Sequence, residues 1–189
     1  MAGKNYFFIL ILVSAVAILT HGHGLTAEPN SIKNWFNNLP HAKQKITELQ
    51  FYVQDILSGP TPSNVQVARA SSTFTSPTLF GLVAVLDDPV RTRPSPDSEI
   101  IGRAQGLFAF ASLEETSLHM TFDLVFTSGD YNGSSLSIVG HNPYLNQNRE
   151  LSVVGGSGAF RFARGVVGVN TVSFDSSTGD AFFQYNVTF

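Results

Sequence analysis

Residues 140–158 read GHNPYLNQNRELSVVGGSG and place one arginine between a polar loop and a glycine cluster. A predicted strand ends at Gly140, and the proline-containing loop after it leads to Arg149 at the start of a short apolar run. The glycine cluster lets the backbone turn sharply and lie close to a neighbour or a ligand. Because a cation beside apolar residues needs a partner, we interpret the loop as the rim of a small-molecule cavity in a β-barrel, with Arg149 pointing into it.

Short β-rich runs separated by turn signals lie on both sides of this stretch. Residues alternate over 47–57, with Phe51, Val53 and Asp55 on the more apolar face of a predicted strand. Other predicted strands cover 65–70, 79–86, 99–110, 117–126, 134–140, 161–173 and 181–189. The segment Asp-Asp-Pro at 87–89 and the stretch 140–158 are interpreted as breaks between strands.

These eight runs, without helices between them, predict an all-β fold. The expected architecture is an eight-stranded antiparallel β-barrel of the calycin-like type, because closing the sheet removes exposed strand edges. A barrel of about eight strands is either filled by its side chains or holds one small ligand. A β-sandwich is the alternative architecture.

Composition excludes several classes of function. The chain has 189 residues, a formal charge of −3 and no cysteine, so there is no basic surface for nucleic acid, no disulfide and no thiolate metal site. The histidines have no metal-ligand spacing, and no G-x-S-x-G motif of a serine hydrolase occurs. We therefore expect neither a metal nor a cofactor.

The N-terminal residues predict secretion. Lys4 precedes an apolar run at 6–19 and small residues follow it, a pattern typical of a signal peptide over 1–24 with cleavage near Gly22 or Gly24. The alternative is a signal anchor. After cleavage we expect a protein of the extracellular space without membrane association. Residues 25–46 are predicted to be an extended linker, with a short helix over 31–38 as the alternative, and 47–189 to be the barrel domain.

Two sequons, at Asn132 and Asn186, would then meet the glycosylating machinery. The first lies in a predicted turn, where a glycan would fit.

Candidate chemistry centres on one acid and one arginine. If Asp55 lies in a low-dielectric cavity its pKa is raised, and it can act as an acid and then as a base; the alternative is a carboxylate that caps the following turn. Arg149 suits a phenolate or carbonyl oxygen, and its alternative is an ion pair with Glu150 or a surface aspartate. His141 and Asn142 are candidates for orienting a ligand from the rim.

Aromatic and apolar side chains are predicted to surround the ligand: Phe51, Val53, Phe108 and Phe110. A planar phenylpropanoid or flavonoid would stack on them, although ordinary core packing is the better explanation for any one of these residues taken alone.

Five segments resemble the plant dirigent proteins in their order and spacing: QDI at 54–56, LDDP at 86–89, GRAQG at 102–106, RELSVVGGSG at 149–158 and FARG at 162–165. The resemblance covers 49–189. It implies an eight-stranded antiparallel barrel, secreted to the apoplast and assembled as a homotrimer or dimer. It also implies a protein that steers phenoxy-radical coupling or quinone-methide cyclisation of phenolic substrates without oxidising them, so that radicals come from an external laccase or peroxidase.

Within that family, Asp55 and Arg149 match functional positions. Phe108 and Phe110 stand where lignan-forming members carry tyrosines, and Asn142 stands where they carry an aspartate. The resemblance is therefore closer to the branch that includes the pterocarpan synthases, which puts lignan formation in doubt and leaves the steering role. Two alternatives stay open: a lipocalin-like carrier of apolar phenolics, and a structural protein of cell wall or defence.

Overall fold

The computed structural model describes residues 29–41 and 45–189. Within them it has one α-helix, α1 (Pro29–Asn38), and nine strands: β1 (Glu48–Asp55), β2 (Asn64–Ala68), β3 (Val83–Arg91), β4 (Ile100–Phe110), β5 (Leu118–Phe126), β6 (Ser135–Asn142), β7 (Asn148–Ser157), β8 (Gly165–Phe174) and β9 (Ala181–Thr188).

Eight of these strands form a closed antiparallel barrel. The sheet runs β1-β9-β8-β7-β6-β5-β4-β3, and β3 then pairs with β1 to close the ring. Two residue pairs make this closing seam: Tyr52 with Arg91, and Val53 with Val90. Strand β2 pairs with the first half of β3 and lies outside the ring. The predicted barrel is confirmed, and the sandwich alternative is wrong.

The eight predicted runs are not the eight strands of the ring. The run at 65–70 corresponds to β2, whereas β7, which was interpreted as a loop, is part of the barrel. The register of the β6–β7 pair shifts between Ser137 and Ile138, and β7 continues through Gly155 and Gly156. The glycines therefore accompany a β-bulge here and do not end the strand.

The predicted turn at 87–89 is also wrong, because these residues lie inside β3. The backbone N–H of Asp87 points toward the β2 side of β3, where it donates to the Ser63 carbonyl. Backbone N–H groups alternate in direction along a strand, so the backbone nitrogen of residue 89 points to the same side. At that point β3 changes partner from β2 to β1. Pro89, which has no N–H, occupies the gap where no ladder hydrogen bond is required.

Residues 29–38 are helical, so the expectation of an extended segment is wrong for this part of 25–46. The helix contacts the barrel through Trp35, whose ring stacks on Phe162 with centroids 5.2 Å apart. The Arg161 guanidinium lies 5.6 Å from the Trp35 ring centroid. The predicted signal peptide, 1–24, lies outside the described residues. Among the helices that the structure describes, none is long and apolar enough to span a membrane.

One end of the barrel is filled by aromatic side chains. Phe126 contacts Phe51, Tyr131 and Phe160, and Phe160 also packs edge-on against Phe189. The inner face of β4 makes room for these rings, since Gly102 and Gly106 lie opposite Phe126 and Phe122 of β5. Polar interior residues lie toward the other end, where β1 and β6 end and β7 begins.

Candidate functional site

Four of the predicted site residues come to the same end of the barrel. Asp55 ends β1, Asn142 ends β6, Arg149 lies at the start of β7, and Phe110 ends β4. Because neighbouring strands of the ring are antiparallel, the ends of β1, β4 and β6 and the start of β7 meet at one rim. We call this rim the polar end.

Arg149 is a buried cation that has no carboxylate partner among the described residues. Its side chain is 6% exposed, and its Nη1 and Nη2 donate to the Tyr144 carbonyl and the Thr171 hydroxyl, each at 3.1 Å. Its guanidinium carbon lies 5.1 Å from the Phe183 ring centroid. Neither of the two ion pairs found in the described residues involves Arg149. The alternative of an ion pair with Glu150 is therefore wrong.

Asp55 has the raised pKa expected of an acid in a low-dielectric site. Burial raises the pKa of Asp55 to about 6, the charge of Asp180 adds to the increase, and a hydrogen bond with Asn64 opposes it. The turn after β1 is capped by Asp180, whose Oδ1 accepts from the backbone N–H groups of Leu57 and Ser58. The alternative role of Asp55 as the cap of this turn does not apply.

Asp88 lies beside Asp55 and was missed by the sequence analysis. It is 5% exposed on the inner face of β3 and accepts a hydrogen bond of 2.5 Å from the Ser63 hydroxyl. Burial, followed by the charge of Asp55, raises the pKa of Asp88 to about 8. The available signal was the alternation of Leu86, Asp88 and Val90, which the following proline obscured.

Tyr185 is a buried residue near both the acids and Arg149, and it was also missed by the sequence analysis. Its ring stacks on Phe51 with centroids 5.9 Å apart. Burial raises the pKa of the Tyr185 phenol, and the charges of Asp88, Arg149 and Asp55 also act on it. The phenol therefore lies within the electrostatic field of both the acid and the arginine. Its alternation with Phe183 and Val187 was the signal that could have found it.

The four predicted apolar contact residues divide into two pairs. Phe51 and Val53 are 1% and 2% exposed and belong to the packed core, which is the alternative explanation given for them. Phe108 and Phe110 are half-buried and contact each other edge-on at 6.1 Å, and Phe110 contacts Tyr144 in the same way. The second pair offers rings on which a planar ligand can stack.

The two rim residues also separate. Asn142 is buried at the polar end, where its Nδ2 lies 2.9 Å from the sulfur of Met120. His141 faces outward, is exposed, and has its Nε2 2.9 Å from a Glu115 carboxylate oxygen. The structure therefore brings Asn142 together with Arg149 but leaves His141 on the outer surface.

The two sequon asparagines are exposed. Asn132 follows the short 3-10 turn at 129–131, and Asn186 lies on the outer face of β9, where its Oδ1 accepts from Gln50 at 3.1 Å.

Unpaired polar atoms are concentrated at the polar end. In the part of the chain that the structure describes, four buried side-chain polar atoms have no hydrogen-bond partner: Asp55 Oδ1, Asn142 Oδ1, Arg149 Nε and Ser128 Oγ. A buried polar atom without a partner destabilises the fold by about 1–3 kcal/mol, so such atoms require an explanation. Three of the four belong to predicted site residues.

A surface pocket of about 250 Å³ borders the acid. It lies between β1 and the β8–β9 turn, and its lining includes Asp55, Asp175 and Asp180. No group of three or more metal-ligating side chains was found among residues 29–41 and 45–189.

Comparison with known proteins agrees with this geometry. The model of the dirigent-like protein family matches residues 46–189. The chain is 44% identical to Dirigent protein 23 of Arabidopsis thaliana over 186 residues, covering 98% of this chain and 97% of that protein. It is 40% identical to Pterocarpan synthase 1 of Glycyrrhiza echinata over 146 residues, or 77% of this chain and 78% of that one. The solved structure of the pterocarpan synthase dirigent protein PsPTS1 is 42% identical with a TM-score of 0.71, covering 78% of this chain and 96% of its own.

Proposed function

Because this chain belongs to the dirigent family, we propose that it directs the stereochemistry with which a reactive phenolic intermediate couples or cyclises. The substrate class is a phenylpropanoid or isoflavonoid phenol, presented as a phenoxy radical or a quinone methide. The protein holds this intermediate at the polar end of its barrel and leaves the oxidation to another protein. Its similarity to pterocarpan synthases favours cyclisation over lignan-type coupling.

The unpaired buried atoms at the polar end carry this proposal. Arg149 Nε can donate a hydrogen bond, and Asn142 Oδ1 can accept one. Asp55 Oδ1 can do either, according to its protonation. A phenolic ligand has both a hydroxyl donor and an oxygen acceptor, so its binding supplies the missing partners. An apolar ligand would leave all three atoms unpaired, and for this reason a carrier of purely apolar molecules is the weaker proposal.

In the proposed cyclisation, Asp55 donates a proton to the quinone-methide carbonyl while the nucleophilic phenol closes the ring and loses its own proton to a base at the site. Arg149 binds the carbonyl or phenolate oxygen, and the rings of Phe108 and Phe110 hold the planar guest. A difference of about 1.4 kcal/mol between attack on the two faces gives tenfold selectivity. A single charge-assisted hydrogen bond contributes about that much.

The setting of this activity is also proposed. The N-terminal sequence pattern supports secretion to the apoplast, where an external laccase or peroxidase would supply radicals. Glycans at Asn132 and Asn186 would extend from exposed positions on the outer surface. Family resemblance supports a homotrimer or dimer.

The test is chiral chromatography of the products formed from isoflavanols and from oxidised monolignols, with wild-type protein and with Asp55→Asn. We expect an excess of one stereoisomer with wild type and a product ratio near that of the protein-free reaction with Asp55→Asn. Saturable binding with an unchanged product ratio would instead identify a carrier. Normal behaviour of both Asp55→Asn and Arg149→Leu would favour a structural protein.

A further inference from the structure

We propose that Asp55 and Asp88 form a carboxylate pair that holds a single proton, and that Asp88 is the positioning residue that keeps Asp55 able to donate or accept it. This inference rests on the proposed function, because it gives the acid at the polar end a second component. Asp88 acts through Asp55 and is not assigned a contact with the substrate.

The closing seam of the barrel creates the pair. Val53 lies opposite Val90 across the β1–β3 seam, and continuing this antiparallel register by two residues places Asp55 opposite Asp88. Both side chains are on the inner face, since Val53 and Val90 are core residues. Cross-strand neighbours have Cβ atoms about 4.5–5.5 Å apart, and two carboxylates at that separation in a buried site do not ionise together readily.

The two acids have different partners. Asp88 is held by the Ser63 hydroxyl, and the Ser63 oxygen in turn accepts the Ile56 backbone N–H at 3.0 Å. Asp55 has an unpaired Oδ1 and borders the 250 Å³ pocket. The fixed member is therefore Asp88, and the member with a free oxygen for the substrate is Asp55.

Within the part of the chain that the structure describes, no arginine or lysine forms an ion pair with either acid. The charged and titratable groups that act on it are Asp87, Arg103, Asp180, Tyr185 and, through Tyr185, Arg149. Arg103 is bound to Asp87 on the outer face of the barrel at 2.7 Å. Burial consequently dominates: it raises the pKa of Asp55 to about 6, and together with the charge of Asp55 it raises the pKa of Asp88 to about 8. Between these values the pair retains one proton.

A pair with one proton matches the balance of the proposed cyclisation, which starts from the quinone methide that an isoflavanol forms by losing water. The phenol oxygen forms a bond to the methide carbon, and the displaced electron pair moves to the carbonyl oxygen. Asp55 gives the proton of the pair to that oxygen and then takes up the proton that the phenol loses, while Asp88 remains bound to Ser63. The pair ends with one proton as it began, and no oxidant or reductant is consumed.

The test compares wild type, Asp88→Asn and the matched control Asp87→Asn from pH 5 to 9, using an isoflavanol as the probe. We expect a bell-shaped rate profile for wild type with limbs near pH 6 and 8. In Asp88→Asn the alkaline limb should move down to pH 6 or below, with at least a tenfold lower rate at pH 7.5. Asp87→Asn removes an exposed charge that has the smallest of the effects on the pKa of Asp88, so its bell-shaped profile should stay close to that of wild type. An unchanged alkaline limb in a folded Asp88→Asn protein would overturn the inference.

Two further measurements keep the inference separable from the proposed function. Infrared spectroscopy should detect a protonated carboxyl at pH 7 in wild type and in Asp87→Asn, but not in Asp88→Asn, whether or not any substrate is turned over. If Asp88→Asn does not fold, the variant Ser63→Ala is the test. The hydrogen bond from Ser63 lowers the pKa of Asp88, so its loss should move the alkaline limb and the infrared titration to higher pH. Absence of a protonated carboxyl in wild type refutes the pair, whereas its presence without stereoselectivity refutes only the proposed function.

Discussion

At the scale of single residues, the polar end is defined by groups that the fold leaves incompletely paired. Arg149 is buried against Phe183 with one nitrogen unpaired and no acidic partner in the described residues. A buried charge contributes little to stability unless it is paired. Its retention in the interior is therefore better explained by ligand binding than by folding.

Replacement of Arg149 by leucine tests this explanation. We expect Arg149→Leu to lose at least about tenfold in the ratio of product stereoisomers, which corresponds to about 1.4 kcal/mol. Its free energy of unfolding should fall by no more than about 1 kcal/mol, because the lost hydrogen bonds are offset by the removal of a buried charge. Chiral chromatography and urea unfolding measure the two effects.

Arg164→Leu is the matched control, since Arg164 is exposed at the barrel surface. Both its product ratio and its stability should equal those of wild type. A large loss of stability in Arg149→Leu with full retention of selectivity would assign Arg149 to the fold.

At the scale of elements, the inner face of β4 depends on glycine. A Cβ at Gly106 would lie 2.5 Å from the Phe122 Cα and still closer to the Thr121 carbonyl oxygen. Backbone atoms of the neighbouring strand cannot move away without disrupting the β4–β5 ladder. This strand therefore tolerates the large aromatic rings of β5 because it has no side chain at that position.

Gly106→Ala should accordingly destabilise the barrel by about 3 kcal/mol or more, within the range of severe overpacking. Gly155→Ala in β7 is the matched control, because a Cβ there meets nothing within 4 Å, and its effect should stay within about 0.5 kcal/mol. Urea unfolding of the two variants gives the comparison. Equal stabilities would show that β4 and β5 adjust more easily than their packing indicates.

The helix α1 contacts the barrel through Trp35, which lies against Phe162 and Arg161. Trp35 is the only tryptophan of the chain, so its fluorescence reports the stacking on Phe162 directly. We expect Phe162→Ala to shift the emission to longer wavelength while the unfolding midpoint of the barrel changes little. Phe174→Ala, which removes another exposed phenylalanine, should leave the emission unchanged. A red shift in both variants would contradict a specific contact.

At the scale of the whole molecule, the buried acids couple stability to pH. The pKa values of Asp55 and Asp88 rise on folding from 3.8 to about 6 and about 8. The folded state therefore binds more protons than the unfolded state between pH 4 and 8, and the free energy of unfolding decreases as pH rises through this window. The loss is complete above about pH 8.

We expect this decrease to amount to several kcal/mol for the two groups together. Asp88→Asn should remove the larger part of it, so that the variant is more stable than wild type at pH 8 and its stability changes less between pH 4 and 8. Urea unfolding at closely spaced pH values measures both curves. A wild-type curve that rises from pH 4 to 8 would contradict the burial of these carboxylates.

Sequence reasoning succeeded where the signal was local. The alternation of Phe51, Val53 and Asp55 identified an inward-facing acid because side chains of a strand point alternately to its two faces. It failed where composition misled: Pro89 resembled a turn, and Gly155 and Gly156 resembled the end of a strand. In each case the partner strand made the difference, by offering a gap without a ladder bond or by accommodating a bulge.

The sequence by itself determined the class of the fold and the dirigent resemblance, and it singled out Asp55 and Arg149 as candidate site residues. Only the tertiary structure decided that β3 closes on β1, that Asp88 thereby faces Asp55, and that Tyr185 lies in the field of both acids and of Arg149. The physical reason is the distance along the chain over which each feature is set. Alternation is set by neighbouring residues, whereas the register of the seam depends on how the entire ring of strands closes.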